Sequence, residues 1–191
     1  MARKFNQKAI EAAVVALIRA IGEDPSRKCL ENTPSRIGEM FRELFAGISV
    51  DPRRELKIGF EEGHREMVVL IDIPFYSMCE HHLLPFYGVA HVGYIPNDAG
   101  RIVGISKLAR VVEICAKRPQ VQERMTSQIA EAIMDALEPA GVAVVVQAEH
   151  LCMTMRGIKK PGSNVVTSAM RGIFRIKAAT RGEFLSLIHN K

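Results

Sequence analysis

The 191-residue sequence has no tryptophan, only three tyrosines, and aromatic residues at 6% overall. A surface that grips nucleic acid through its bases needs aromatic platforms set among cations. No basic stripe interleaved with aromatics occurs, so nucleic acid is not an expected partner. No apolar run approaches the roughly 18 residues a membrane-spanning helix needs, and no membrane association is expected. The apolar stretch near the start is interrupted by Glu11 and Arg19. It reads as an amphipathic helix and not as a signal peptide, which makes the cytoplasm the expected location. Cysteine is scarce, at four residues, and a reducing compartment argues against a disulfide framework.

What the chain does have is an ordinary globular composition, 48% hydrophobic and 25% charged, with a net charge of +5. Its length suits one domain with a helical appendage: residues 1–50 as an N-terminal helical segment and residues 51–191 as the main body. The positive balance calls for anionic company, and a small polyphosphate suits it better than a nucleic acid.

Ile10, Val14, Leu17 and Ile21 share one face at helical spacing. Thr33-Pro34 reads as a cap followed by proline at the first helical position, opening a helix through Phe45. Residues 67–76 and 86–95 are apolar and β-branched and read as strands. Ser106 is expected to cap a helix that buries Leu108, Val111, Val112 and Cys115. A second helix carries Met125, Ile129, Ile133 and Leu137. Residues 142–156 read as one long strand, followed by another from Asn164, and Thr180 to Glu183 reads as a capping box. The order β-β-α-α-β-β implies an α+β domain with an antiparallel sheet, two central helices and the helical segment in front.

Histidine and cysteine concentrate in two short segments, Cys79-Glu80-His81-His82 and His150-Leu151-Cys152. Zn²⁺ takes cysteine sulfur and histidine nitrogen, and a catalytic site uses three protein ligands with the fourth position left to water. Cys79 and His82 are three apart, close enough for one turn to aim both at an ion. On a strand, His150 and Cys152 would share a face. Three ligands drawn as Cys79, His82 and Cys152 leave His81 and His150 free as acid–base groups. The bland alternatives are a closed structural zinc site, or for His150 a core imidazole on a strand face. Cys29 and Cys115 have no such neighbours and read as inert buried thiols.

Ser106, Lys107 and Arg110 stand at a helix start, where free N–H groups and the dipole attract phosphate. Arg156, read on the same strand face as the metal ligands, and Arg36, after Thr33-Pro34, would add further cations. A capped surface helix with solvated cations explains the same residues. Gln122-Glu123 opens the next helix, and a carboxylate there can accept two parallel hydrogen bonds from the donor edge of guanine. A first-turn acid favoured by the helix dipole is its plain alternative.

Five ordered segments resemble the GTP cyclohydrolase I family: residues 77–83, 93–96, 104–110, 118–124 and 150–157. The resemblance extends from about Thr33 to the C-terminus and includes Val166-Thr167-Ser168. It departs at Cys29, where glycine is common, at Val89, where lysine is common, and at Arg171. It implies a tunnelling fold (T-fold), a homodecamer of two stacked pentamers, and active sites between subunits. It implies a zinc-dependent hydrolase of one-carbon and pterin metabolism that takes GTP and water to 7,8-dihydroneopterin triphosphate and formate. Carried over by residue, Cys79, His82 and Cys152 bind Zn²⁺, and His81 and His150 move protons. Glu123 and Gln122 hold the guanine edge. Ser106, Lys107, Arg110, Arg156 and Arg36 surround ribose and triphosphate. Allosteric control and a regulatory protein partner are compatible with the resemblance, but no motif carries them. Two other classes remain in view. One is a T-fold nitrile reductase with a nucleophilic thiol, which would need no zinc set. The other is a zinc-stabilised binding module, which would have no use for two unligated histidines.

Overall fold

Every residue from Gly141 to Val146 is buried, although successive side chains of a strand point to opposite faces. Both faces of this strand are therefore covered. Val142, Val144 and Val146 join the main core with Leu108, Val112, Met125, Ile129 and Ile133 from two helices. Ala143 and Val145 join a second cluster with Phe174, Phe184 and Ile188 on the other side. A near-continuous apolar run is what a doubly covered strand requires.

The computed structural model describes residues 4–189. Helices α1 (Gln7–Ala20) and α2 (Thr33–Leu44) come first, then a 3₁₀ turn (Pro52–Leu56). Strands β1 (Gly59–Glu61), β2 (Val68–Cys79), β3 (Pro85–Ile95) and β4 (Arg101–Val103) lead to α3 (Ile105–Ala116). A two-residue β5 (Pro119–Gln120) precedes α4 (Gln122–Leu137) and β6 (Gly141–His150). The chain closes with α5 (Leu151–Thr154), β7 (Asn164–Gly172), α6 (Ile173–Ile176) and α7 (Ala178–His189). No helix among the described residues is long and apolar enough to cross a membrane.

The main sheet runs β5-β2-β3-β6-β7, antiparallel except for the short parallel pair β2–β5, and β1 pairs with β4 apart from it. Register places the two histidine- and cysteine-bearing segments together. Met78 pairs with Pro85 and Phe86 pairs with His150, so the β2–β3 connection and the end of β6 meet at one end of the sheet. Ser77 Oγ donates to Ala116 O at 2.7 Å and ties the C-terminus of α3 to that end. The other end of the sheet carries Tyr94, whose hydroxyl accepts the Val103 N–H at 3.2 Å just before α3 begins.

The α+β class and the antiparallel pairing agree with the sequence reading; several local expectations do not. Gly104 caps α3, and Ser106 lies inside its first turn. The cap of α2 is Asn32, with Thr33 already helical. Thr180 lies inside α7 instead of capping it. The expected strand over 142–156 stops at His150, because the chain winds into one helical turn at Leu151. Cys29 is exposed, whereas Cys115 is buried as expected, and burial pushes its thiol up to about 11.

Gly88 shows how tightly this sheet is built. A Cβ there would lie 1.9 Å from Gln147 O and 2.7 Å from Ala148 Cα on the neighbouring strand. Backbone atoms in mid-ladder cannot yield without breaking pairs. Gly88→Ala is expected to cost about 3 kcal/mol, the upper part of the overpacking range. That corresponds to a melting temperature lower by roughly 6–12 °C, read by thermal denaturation.

Candidate metal centre and active site

The connection after β2 is a tight turn in which Cys79 N–H donates to Leu84 O at 2.9 Å and Leu83 N–H donates to Cys79 O at 2.8 Å. Leu83 adopts a left-handed φ of 50°, which turns the chain back toward Pro85. Glu80 fastens the outside of the turn. Its carboxylate accepts two 2.6 Å hydrogen bonds from Arg124 on α4, and its N–H donates to Gln120 O at 3.0 Å. Arg124 holds the Glu80 carboxyl below the usual carboxylate range. Both side chains are substantially exposed, so the pair matters as a geometric clamp and not as a large source of stability.

Inside this turn the Cys79 sulfur lies 3.9 Å from His82 Nδ1. Cys152, in the helical turn after β6, completes a group whose ligand atoms all lie within 4.8 Å of one another. Ligand atoms on a tetrahedral ion with Zn–S of about 2.3 Å and Zn–N of about 2.0–2.1 Å are roughly 3.5–3.8 Å apart. The group therefore fits Zn²⁺ with small adjustments, and its donors are the soft set that ion prefers. Burial pushes the Cys152 thiol up, and the neighbouring Cys79 sulfur adds to the effect. Zn²⁺ takes cysteine as thiolate, so metal binding at this group is coupled to proton release.

His81 is exposed, its ring centroid 6.3 Å from that of His82 and perpendicular to it. His150 stacks flat on Phe86, with centroids 4.6 Å apart and planes within 1°. Burial holds the His150 imidazole below the usual histidine range, with the Glu123 carboxylate opposing. Its Nε2 lies 2.7 Å from Gln122 Oε1.

The Gln122 side chain is buried at 1% exposure and is engaged by the sheet. Its amide nitrogen donates to Val146 O at 3.0 Å and Val165 O at 2.9 Å, and Thr167 Oγ1 lies 3.2 Å away. Glu123 is exposed beside it. The two are consecutive on a helix, roughly 100° apart around its axis, so they face different surroundings.

Arg156 does not share a strand face with the ligands, since a helical turn intervenes. It is nevertheless near enough to Cys152 to favour its thiolate. Lys107 and Arg110 converge, but on a protein carboxylate: Glu55 Oε2 lies 3.5 Å from Lys107 Nζ and 3.3 Å from Arg110. The start of α3 is roughly 17 Å from its C-terminal anchor at Ser77, at about 1.5 Å rise per residue. Ser106 is exposed in the first turn. Arg36 is exposed near the start of α2, which packs chiefly on α1. The chain thus gathers Cys79, His81, His82, Glu123, His150, Cys152 and Arg156 at one end of the sheet, and leaves Ser106, Lys107, Arg110 and Arg36 elsewhere. The sequence reading missed Glu55, the Glu80–Arg124 clamp and the Phe86 stack. For the clamp the one available signal was opposite charge in two segments already singled out.

The family model described as GTP cyclohydrolase I matches residues 10–189. A protein of Dehalococcoides mccartyi named GTP cyclohydrolase 1 is 64% identical over 187 residues, 98% of this chain and 99% of that protein. One of Carboxydothermus hydrogenoformans with the same name is 61% identical, over 96% of this chain and 95% of its own. One of Mycobacterium tuberculosis, likewise named, is 58% identical, over 99% of this chain and 94% of its own.

Proposed function

Because this chain belongs to the GTP cyclohydrolase I family, we propose that Cys79, His82 and Cys152 hold Zn²⁺ at the place where GTP is opened. Its activity is that of GTP cyclohydrolase I: GTP and water are converted to 7,8-dihydroneopterin triphosphate and formate, the first step toward tetrahydrofolate or tetrahydrobiopterin. The observation that carries the site is the approach of three soft ligand atoms to within 4.8 Å of one another, with His150 two residues before one of them.

Zn²⁺, when bound there, supplies Lewis acidity that makes water a nucleophile toward C8 of the purine at neutral pH. The remaining roles fall to side chains. His150, whose burial disfavours the protonated ring, accepts a proton as water adds and returns it as the ring C–N bond breaks. His81, exposed on the adjacent turn, exchanges protons with solvent during ring opening and the later sugar rearrangement. Glu123 accepts hydrogen bonds from the guanine N1–H and exocyclic amine, which fixes C8 in register with the ligand group. Arg156 approaches from the turn after Cys152 and meets phosphate charge.

Ser106, Lys107, Arg110 and Arg36 are proposed to complete the ribose and triphosphate contacts from a neighbouring copy. What supports this is their position within one chain: α3 begins at the far end of the sheet from Cys79. The reading accordingly includes a T-fold homo-oligomer, a decamer of two pentamers, with sites between chains. Residues 1–50 are an appendage, consistent with α1 and α2 packing chiefly on each other, and residues 51–191 are the catalytic body. A GTP-consuming enzyme with reduced thiol ligands belongs in the cytoplasm.

The test is direct. Purified protein given Zn²⁺ and GTP is expected to release one formate per GTP consumed and to yield a fluorescent pterin after oxidation. Full zinc occupancy without formate would overturn the reading.

A further inference from the structure

The hydrogen bonds around Gln122 have only one consistent direction. Its amide nitrogen faces two strand carbonyls, Val146 O and Val165 O, which can only accept. Reversing the amide would set its oxygen against both. The nitrogen therefore stays where it is, and Oε1 is presented to His150 Nε2 at 2.7 Å. The threonines below are ordered in the same sense. Thr126 Oγ1 donates to Gln122 O at 2.7 Å, so the 2.6 Å contact between Thr126 and Thr167 uses the Thr167 proton. Thr167 Oγ1 is left to accept from the Gln122 amide.

An amide oxygen is an acceptor only, so the ring nitrogen facing it must carry a proton. We propose that Gln122 is a positioning residue that locks His150 in the Nε2–H tautomer, which makes Nδ1 the nitrogen that exchanges protons with substrate. Phe86 supplies the second constraint. Its ring lies parallel to the imidazole at 4.6 Å and opposes tilting, while the hydrogen bond opposes rotation within the plane. Among the described residues Nδ1 has no hydrogen-bond partner, as a nitrogen reserved for substrate should not. In its neutral form this nitrogen has a lone pair, so the ring enters the cycle as a base. It becomes a donor only after taking a proton, while Nε2–H remains on Gln122 throughout. The inference goes beyond the assignment of Gln122 to the guanine edge, and it rests on the reading of His150 as an acid–base group.

The deciding measurement is ring-nitrogen NMR of full-length ¹⁵N-histidine-labelled protein, metal-free and zinc-loaded, at a pH where His150 is neutral. The His150 resonances are identified by their loss in His150→Ala. The expected result is a protonated Nε2 and an unprotonated Nδ1. The opposite tautomer, or an even mixture, overturns the proposal whatever the activity. In Gln122→Leu the tautomer preference should be lost and kcat should fall roughly 10–100-fold, the usual cost of removing a partner that orients a site histidine. KM for GTP should stay within about twofold and zinc content should be unchanged. A rise in KM at constant kcat would mean that Gln122 holds guanine, and the proposal falls. If Gln122→Leu does not fold, the wild-type spectrum alone decides. Normal turnover by His150→Ala would remove the acid–base reading while leaving the tautomer result standing, so the two failures are distinguishable.

Discussion

Cys152→Ala is expected to empty the metal site and abolish formate release, with zinc falling from about one ion per chain to near zero after dialysis. Three protein ligands are the minimum for a catalytic zinc site, and removing one leaves Cys79 and His82 on a single turn with nothing opposite them. Cys152 also comes from a different part of the chain, so it is the ligand that joins the end of β6 to the β2–β3 turn. Far-ultraviolet circular dichroism should remain close to wild type, because Cys152 is only partly buried and packs on the outside of a core made by other residues. Cys115→Ala is the matched control. That thiol is fully buried between α3 and its neighbours, and the variant should keep its zinc, with a cost in stability alone. Retention of tightly bound zinc by Cys152→Ala would mean that the ion sits elsewhere.

His150→Ala should give the complementary result, full zinc occupancy with turnover reduced roughly 10²–10⁴-fold, the span usual for a lost general acid–base group. The residue lies two positions before a ligand but is held by Gln122 and Phe86, outside the group of mutually close ligand atoms. Atomic absorption beside a single-turnover formate assay separates the two variants. Loss of zinc from His150→Ala would turn this residue from a proton carrier into a ligand.

Cys79 and His82 were legible as a pair because their spacing is local: a turn of four residues can aim both at one point wherever the turn sits, whereas Cys152 was joined to them by residue type and its neighbouring histidine alone. The antiparallel class was legible for a similar reason, since each long strand has its own apolar signature. The burial of Gln122 was not legible, because adjacency in sequence does not say which of two helix residues faces the sheet. On a helix the neighbour of an exposed Glu123 is turned toward the sheet, and only the packing of α4 on β6 and β7 reveals what waits there. The strand drawn through residue 156 failed because nothing in the apolar pattern marks His150 as its last residue. The pairing of Lys107 and Arg110 with Glu55 was invisible because it depends on where the 3₁₀ turn docks, a long-range matter.

The placement of α3, with its basic N-terminus at one end of the sheet and the Cys/His group at the other, has a genetic consequence under the proposed assembly. Each chain contributes its two halves to two different sites. A lesion in α3 silences a centre whose zinc ligands belong to a healthy neighbour, and a lesion at Cys152 wastes a neighbour's intact cations. Each altered chain still silences one site, but a cell making one chain with the α3 lesion and another with the Cys152 lesion assembles some sites from two intact halves, so two inactive alleles together restore part of the activity.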